Sequence, residues 1–90
     1  MILKMFAIFD NKADVYMTPF FFPATGQAVR AFADLVGDER STVSKHPDDY
    51  KLVLIGEWDD STGVCKPLSQ SISLGFGSDF VVKPSSLKAV

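Results

Sequence analysis

The sequence predicts an α+β fold: a small antiparallel or mixed sheet with one packing helix, in the order β-β-α-β-β plus an unassigned C-terminal arm. Three observations predict it. Ile2 to Phe9 and Tyr50 to Trp58 are apolar at alternate positions on both faces, the pattern of strands buried on two sides. Gln27 to Val36 carries its apolar residues at helical spacing without a breaker. Polar and Gly/Pro-containing segments separate these runs at the lengths expected of turns.

In the first strand, Leu3, Met5, Ala7 and Phe9 form one face, and Ile2, Phe6 and Ile8 surround Lys4 on the other. Two nearly apolar faces imply a central strand, or an edge covered by a partner. Asp10-Asn11-Lys12-Ala13-Asp14 reads as a polar turn. Val15 to Phe22 is a second extended segment, with Pro19 calling for an edge position or a bulge. Phe20, Phe21 and Phe22 cannot all face one core from a regular strand.

Thr25 is the expected N-cap of the helix. Ala28, Val29, Phe32, Ala33, Leu35 and Val36 form its apolar stripe, Arg30 and Asp34 lie on the wetter side, and Gly37 is expected at C′. Asp38 to Asp49 reads as a polar loop with room for one helical turn at Pro47-Asp48-Asp49. In the following strand Tyr50, Leu52, Leu54 and Trp58 share one face, Val53 and Ile55 the other, and Gly56 suits a bulge or a close backbone approach. Asp59 to Gly63 is a hairpin connection, with Gly63 suited to positive φ. Val64 to Leu68 returns as a strand that Pro67 keeps short or at an edge. Ile72, Leu74 and Phe76 alternate as a short strand or an apolar arm, and Phe80, Val81 and Val82 could dock in the same way. Residues 1–90 thus read as a single domain, with 83–90 a loose tail.

Composition narrows the functional classes. The chain has 90 residues, 47% of them apolar, including eight Phe, two Tyr and one Trp, so a packed core is within reach. A domain this short buries only roughly two-thirds of its extended-chain surface, which makes oligomerisation a natural supplement and a large catalytic fold implausible. Net charge is −2, against the basic balance of a protein that coats nucleic acid by charge. The charge is uneven, at −4 over residues 1–60 and +2 over 61–90. Cys65 is the single cysteine, so no intrachain disulfide forms, and with one His it falls short of a structural zinc set. The apolar residues 1–9 are too short to span a membrane and lack a signal peptide's flanks.

No motif for chemistry is specific. His46 could serve as a general base or, more simply, cap a backbone group or pair with Asp48 or Asp49. Glu57, Asp59 and Asp60 could approach a divalent ion, but beside a hairpin they are better read as turn carboxylates. Cys65 could pair with His46 as a nucleophile, but its strand position points to a buried thiol. Gly75-Phe76-Gly77 lacks the lysine and context of a phosphate loop. The expectation is therefore no enzyme, no catalytic residues, no metal and no cofactor. The aromatics are more informative: Tyr16, Phe20, Phe21, Phe22 or Trp58, where not needed for the core, could stack on bases or line an interface, with Lys4, Lys12, Arg30, Lys45 and Lys51 as candidate phosphate partners. A two-fold dimer joining sheet edges would relieve both the small core and the unpaired edges.

Several ordered stretches carry a resemblance. They are Phe6-Ala7-Ile8-Phe9-Asp10-Asn11-Lys12-Ala13, Pro19-Phe20-Phe21 and Thr25-Gly26-Gln27-Ala28-Val29-Arg30-Ala31-Phe32. Ser44-Lys45-His46-Pro47-Asp48-Asp49-Tyr50 and Gly56-Glu57-Trp58-Asp59-Asp60-Ser61-Thr62-Gly63 are more distinctive. Together they cover most of residues 3–68, and in this order the chain resembles the small nonstructural proteins of gokushovirus-like single-stranded DNA phages, of the microvirus family. The resemblance implies a DNA-binding accessory protein made in the cytoplasm of the infected bacterium, outside the capsid, with a part in viral DNA synthesis or packaging. It brings no catalytic residue set.

The function expected from these readings is noncatalytic binding of single-stranded DNA through a dimeric surface. Bases would stack on Tyr16 and Phe21, and phosphates would lie near Lys12, Arg30 and Lys45. The alternative is an adaptor that contacts phage replication, capsid-precursor or host proteins without touching DNA. No membrane association is expected.

Overall fold

The computed structural model describes residues 1–81. The expected tail, 83–90, and Val82 lie outside them. The fold is α+β. Its strands are β1 (Ile2–Asp10), β2 (Val15–Tyr16), β3 (Phe20–Phe22), β4 (Tyr50–Asp59) and β5 (Cys65–Phe76), with helices α1 (Thr25–Gly37) and α2 (Thr42–Lys45) between β3 and β4. Single 3-10 turns occupy Pro47–Asp49 and Gly77–Phe80.

All strand pairs are antiparallel. Of the two positions its apolar faces allowed, β1 takes the central one: β4 pairs along one side, and the short β2 and β3 share the other. The second extended segment breaks where Pro19 stands, giving two edge pieces instead of one strand. Between β1 and β2, Asp10 Oδ1 accepts hydrogen bonds from the backbone N–H groups of Lys12 (2.9 Å) and Ala13 (3.2 Å), closing the polar turn.

α1 covers one face of the sheet. Ala28, Phe32 and Val36 pack with Phe6 and Ile8 of β1 and with Tyr50 and Leu52 of β4, and Val43 of α2 completes this core. Phe20 and Phe22 join it from the edge, Phe20 stacking on Phe6 at 5.9 Å between ring centroids. Phe80 closes the far end, edge-on to Phe32 at 5.6 Å.

Both helix-end expectations are corrected. The N-cap is Ala24, not Thr25; the Gln27 side chain reaches back to accept from the Ala24 N–H at 3.1 Å, so the cap comes from the first turn. Gly37 is the last residue of α1 and does not adopt positive φ, because Asp38, extended, caps the helix instead. The polar loop also contains an unforeseen helical turn, α2. Ser41 makes it possible: its Oγ donates to the Leu35 carbonyl (2.6 Å) and accepts from the Ser44 N–H (3.0 Å), joining the end of α1 to the start of α2.

β4 and β5 form a hairpin through Asp59–Gly63, with Gly63 at φ 75°. β5 was expected to be short. It runs for 12 residues and absorbs the Ile72–Phe76 segment, because Pro67 sits opposite Gly56 at an irregularity on the sheet's outer edge. There Leu54 faces Ile72 and Gly56 faces Pro67, so Leu68–Ser71 bulge out against Ile55 alone. Gly56 is required at this point: a Cβ would lie 2.6 Å from the Lys66 carbonyl oxygen.

The bulge corrects a further expectation. Trp58 does not share a face with Tyr50, Leu52 and Leu54. Leu54 pairs with Phe6 and Gly56 with Met5, so one extra β4 residue shifts the alternation and turns Trp58 away from the helix.

Gly56→Ala is therefore expected to cost about 1–3 kcal/mol in urea unfolding. Gly37→Ala, in open space on a helix end, is expected to gain about 0.4–1 kcal/mol. A second expectation concerns pH. Burial, then the nearby charges of Asp10 and Asp49, push the Tyr50 hydroxyl above the ordinary tyrosine range. The folded state then holds a proton that the unfolded state releases, so this contribution is full below about pH 10 and falls as pH rises through the folded pKa. Tyr50→Phe is expected to flatten the alkaline loss in thermal melts between pH 8 and 11.

Candidate functional site

Strand alternation sorts the sheet into two unlike faces. One receives α1. On the other, Leu3, Met5, Ala7 and Phe9 of β1 lie beside Val53, Lys51 and Trp58 of β4, with Phe21, Tyr16 and Phe76 as cross-strand neighbours. No helix covers this face among the described residues. Its centre is nevertheless dry: Ala7 and Val53 are 1% and 2% exposed, shielded by the larger side chains around them.

The rings on this face form two clusters. Phe9 and Tyr16 meet at 4.7 Å between centroids, tilted by 59°; Phe21 and Trp58 meet at 5.3 Å, tilted by 51°. Tyr16 remains 47% exposed and Phe21 39%, so each cluster offers a ring to solvent. Lys51 lies between the Phe9 ring and one more, its Nζ 5.4 Å from the Phe9 centroid and 5.9 Å from that of Phe76.

Charge is sorted as well. Asp10, Glu57 and Asp59 all occupy helix-side positions in the ladder, paired with Tyr50 or with Lys4 and Ile2. Among the described strand residues on the open face, Lys51 is the one charged group.

The structure brings together some of the expected site residues and separates others. Tyr16 and Phe21 stand on the open face, and Lys12 is exposed in the turn between β1 and β2. Arg30 on α1 and Lys45 on α2 belong to the helical layer covering the opposite face. Trp58 and Lys51, from the wider set of candidate rings and cations, also stand on the open face, whereas Phe9 and Phe76 were not among the expected contacts. Phe9 and Lys51 were within reach of the alternation pattern, two strand residues of like phase. Trp58 was not, since its face depends on the bulge.

The remaining candidates resolve simply. Asp59 Oδ1 accepts from the Ser61 hydroxyl (2.6 Å) and N–H (3.0 Å), which hold its carboxyl below the usual range and make it a turn residue. Arg40 does the same for Asp38 through its side chain and backbone. His46 is exposed and links α2 to the Pro47–Asp49 turn through its backbone, accepting from the Asp49 N–H at 3.0 Å. Cys65 is exposed, not buried: β5 is an outer strand, and the thiol stands opposite Trp58, at the other end of β4 from His46. No group of three His, Cys, Asp or Glu placed for a metal occurs among the described residues, and no helix among them is long and apolar enough to cross a membrane.

A second feature lies at the β3 edge. Phe20, Phe21, Phe22, Ala31, Phe32 and Leu35, with Ile8 beneath, line an apolar groove of about 320 Å³ between β3 and α1.

Fold and site together define a small antiparallel α+β protein with an aromatic sheet face that, among the described residues, no helix covers and that carries one strand cation, Lys51. Residues 3–80 match the family model described as Phage ORF5 protein, and the chain belongs to that phage protein family. Comparison with curated proteins and with solved structures returns no match.

Proposed function

We propose that this is a nonstructural accessory protein of a gokushovirus-like microvirus that binds single-stranded DNA on the open sheet face, in the cytoplasm of the infected bacterium, during viral DNA synthesis or packaging. The observation that carries the reading is the sorting of the sheet: stacking rings and a cation on one face, the strand carboxylates on the other. A base can lie on Tyr16 or Phe21 without regard to its identity, since every base has a π-face. Phosphate can approach Lys51 from above without meeting an acidic strand neighbour, and Lys12, exposed in the turn that leads into β2, is the second expected phosphate partner. The reading also answers the net charge of −2, because stacking and a local cation do not need a basic molecule.

A dimer, expected from the small core, would use another surface. A second copy laid on the open face brings Lys51 onto a matching face with no carboxylate to receive it. The adaptor reading is favoured by the uncharged groove between β3 and α1, which shares Phe21 with the open face and suits an apolar side chain of a protein partner.

The test is binding of labelled single-stranded and duplex DNA across a salt series. Single strands are expected to bind at about 50 mM salt in preference to duplex. Tyr16→Ala and Phe21→Ala are each expected to cost about 1–3 kcal/mol. Lys51→Met should weaken binding and reduce the salt slope by about 0.7. Arg30→Ala and Lys45→Ala, in the other layer, should leave affinity within error. No binding at low salt, with partners recovered that persist after nuclease treatment and are lost in Leu35→Glu, would turn the assignment to the adaptor.

A further inference from the structure

We propose that the open face holds single-stranded DNA at two separate stacking stations, so that the shortest ligand able to engage both is about three nucleotides in extended form; the proposal rests on the single-strand reading above. The stations are the Phe9–Tyr16 and Phe21–Trp58 pairs. Phe21 lies opposite Met5, four residues from Phe9 along β1, which separates the stations by roughly 13 Å. Consecutive stacked bases are only about 3.4 Å apart, so neighbouring bases cannot occupy both. A strand stretched to roughly twice that rise covers the gap in about two steps, placing alternate bases on the rings.

The ground between the stations fits this spacing. Ala7, Val53 and Ser73, the paired positions between the stations, carry no ring, and Ala7 and Val53 are buried beneath the larger side chains around them. The intervening nucleotide passes over this stretch without a ring to stack on. Lys51, held over Phe9 and Phe76, neutralises phosphate at the Phe9 station, while the Phe21 station relies on stacking. Charge complementarity selects the occupant: the one strand charge on the face is positive, and the acidic strand residues point to the other side.

Trp58, the single tryptophan, lies in one station and reports on it directly. Its fluorescence would be titrated with oligothymidylates of one to eight nucleotides at low salt, using the full chain. Affinity is expected to step up by roughly 5- to 150-fold, the worth of one base–ring stack, when the oligonucleotide first reaches the second station. Phe21→Ser and Tyr16→Ser, both at exposed rings, are each expected to abolish the step and to lower the affinity of the longest oligonucleotide by a similar factor, with urea unfolding confirming the fold. A smooth rise with length, a step between one and two nucleotides, or a step surviving in Tyr16→Ser would overturn the two-station arrangement and leave single-strand binding standing. Absence of quenching and binding at every length would overturn both.

Discussion

β1 and β4 pair antiparallel over their whole lengths, Ile2 against Asp59 at one end and Asp10 against Tyr50 at the other, and this ladder decides where every other element can lie. With β1 occupied on that side, β2 and β3 must share its other edge, and β5 must close the sheet beyond β4. The chain leaving β3 has to pass over β1 to start β4, and α1 is the segment that makes the crossing. A single helix can cover one face only. That no helix among the described residues covers the other face is thus a consequence of connectivity, and the side chains of that face are fixed by the same alternation that fills the core.

Within that frame the bulge at Gly56 has a large effect for one residue. Without it, Trp58 would follow Leu52 and Leu54 onto the helix side, beyond the reach of α1. With it, the indole meets Phe21 and extends the aromatic surface along the sheet. The close approach of the Lys66 carbonyl accounts for glycine at this position, so a backbone constraint in the hairpin sets the chemistry of a surface.

Much of the fold was legible in the residues. Two-sided apolarity narrowed β1 to a central strand or a covered edge, Pro19 pointed to an edge or a bulge, and Gly63 marked the hairpin turn. Other features depended on partners distant in sequence. Pro67 reads as a strand breaker until Gly56 is placed opposite it, and β5 then runs on to Phe76. Ser41 reads as loop until its hydroxyl is seen joining Leu35 to Ser44. Periodicity showed that β1 and β4 each had two apolar faces, but not which face the helix would take, and the separation of Arg30 and Lys45 from Tyr16 and Phe21 follows from that choice. Cys65 was misjudged for the same reason, since burial of a strand residue depends on what lies beyond the strand.

The excursion at Leu68–Ser71 also bears on how the protein behaves in a crowded cell. β5 is the outermost strand and carries only Lys66 and Pro67 as charge or proline, so a regular twelve-residue edge would be a template for open-ended strand addition. The four residues opposite Ile55, with a second register shift at Leu74, split that edge into three short stretches that are out of step with one another. An incoming strand cannot match all of them at once. Protection against fibrillar stacking is thereby written into the backbone path, leaving the side chains of the hairpin free of that duty.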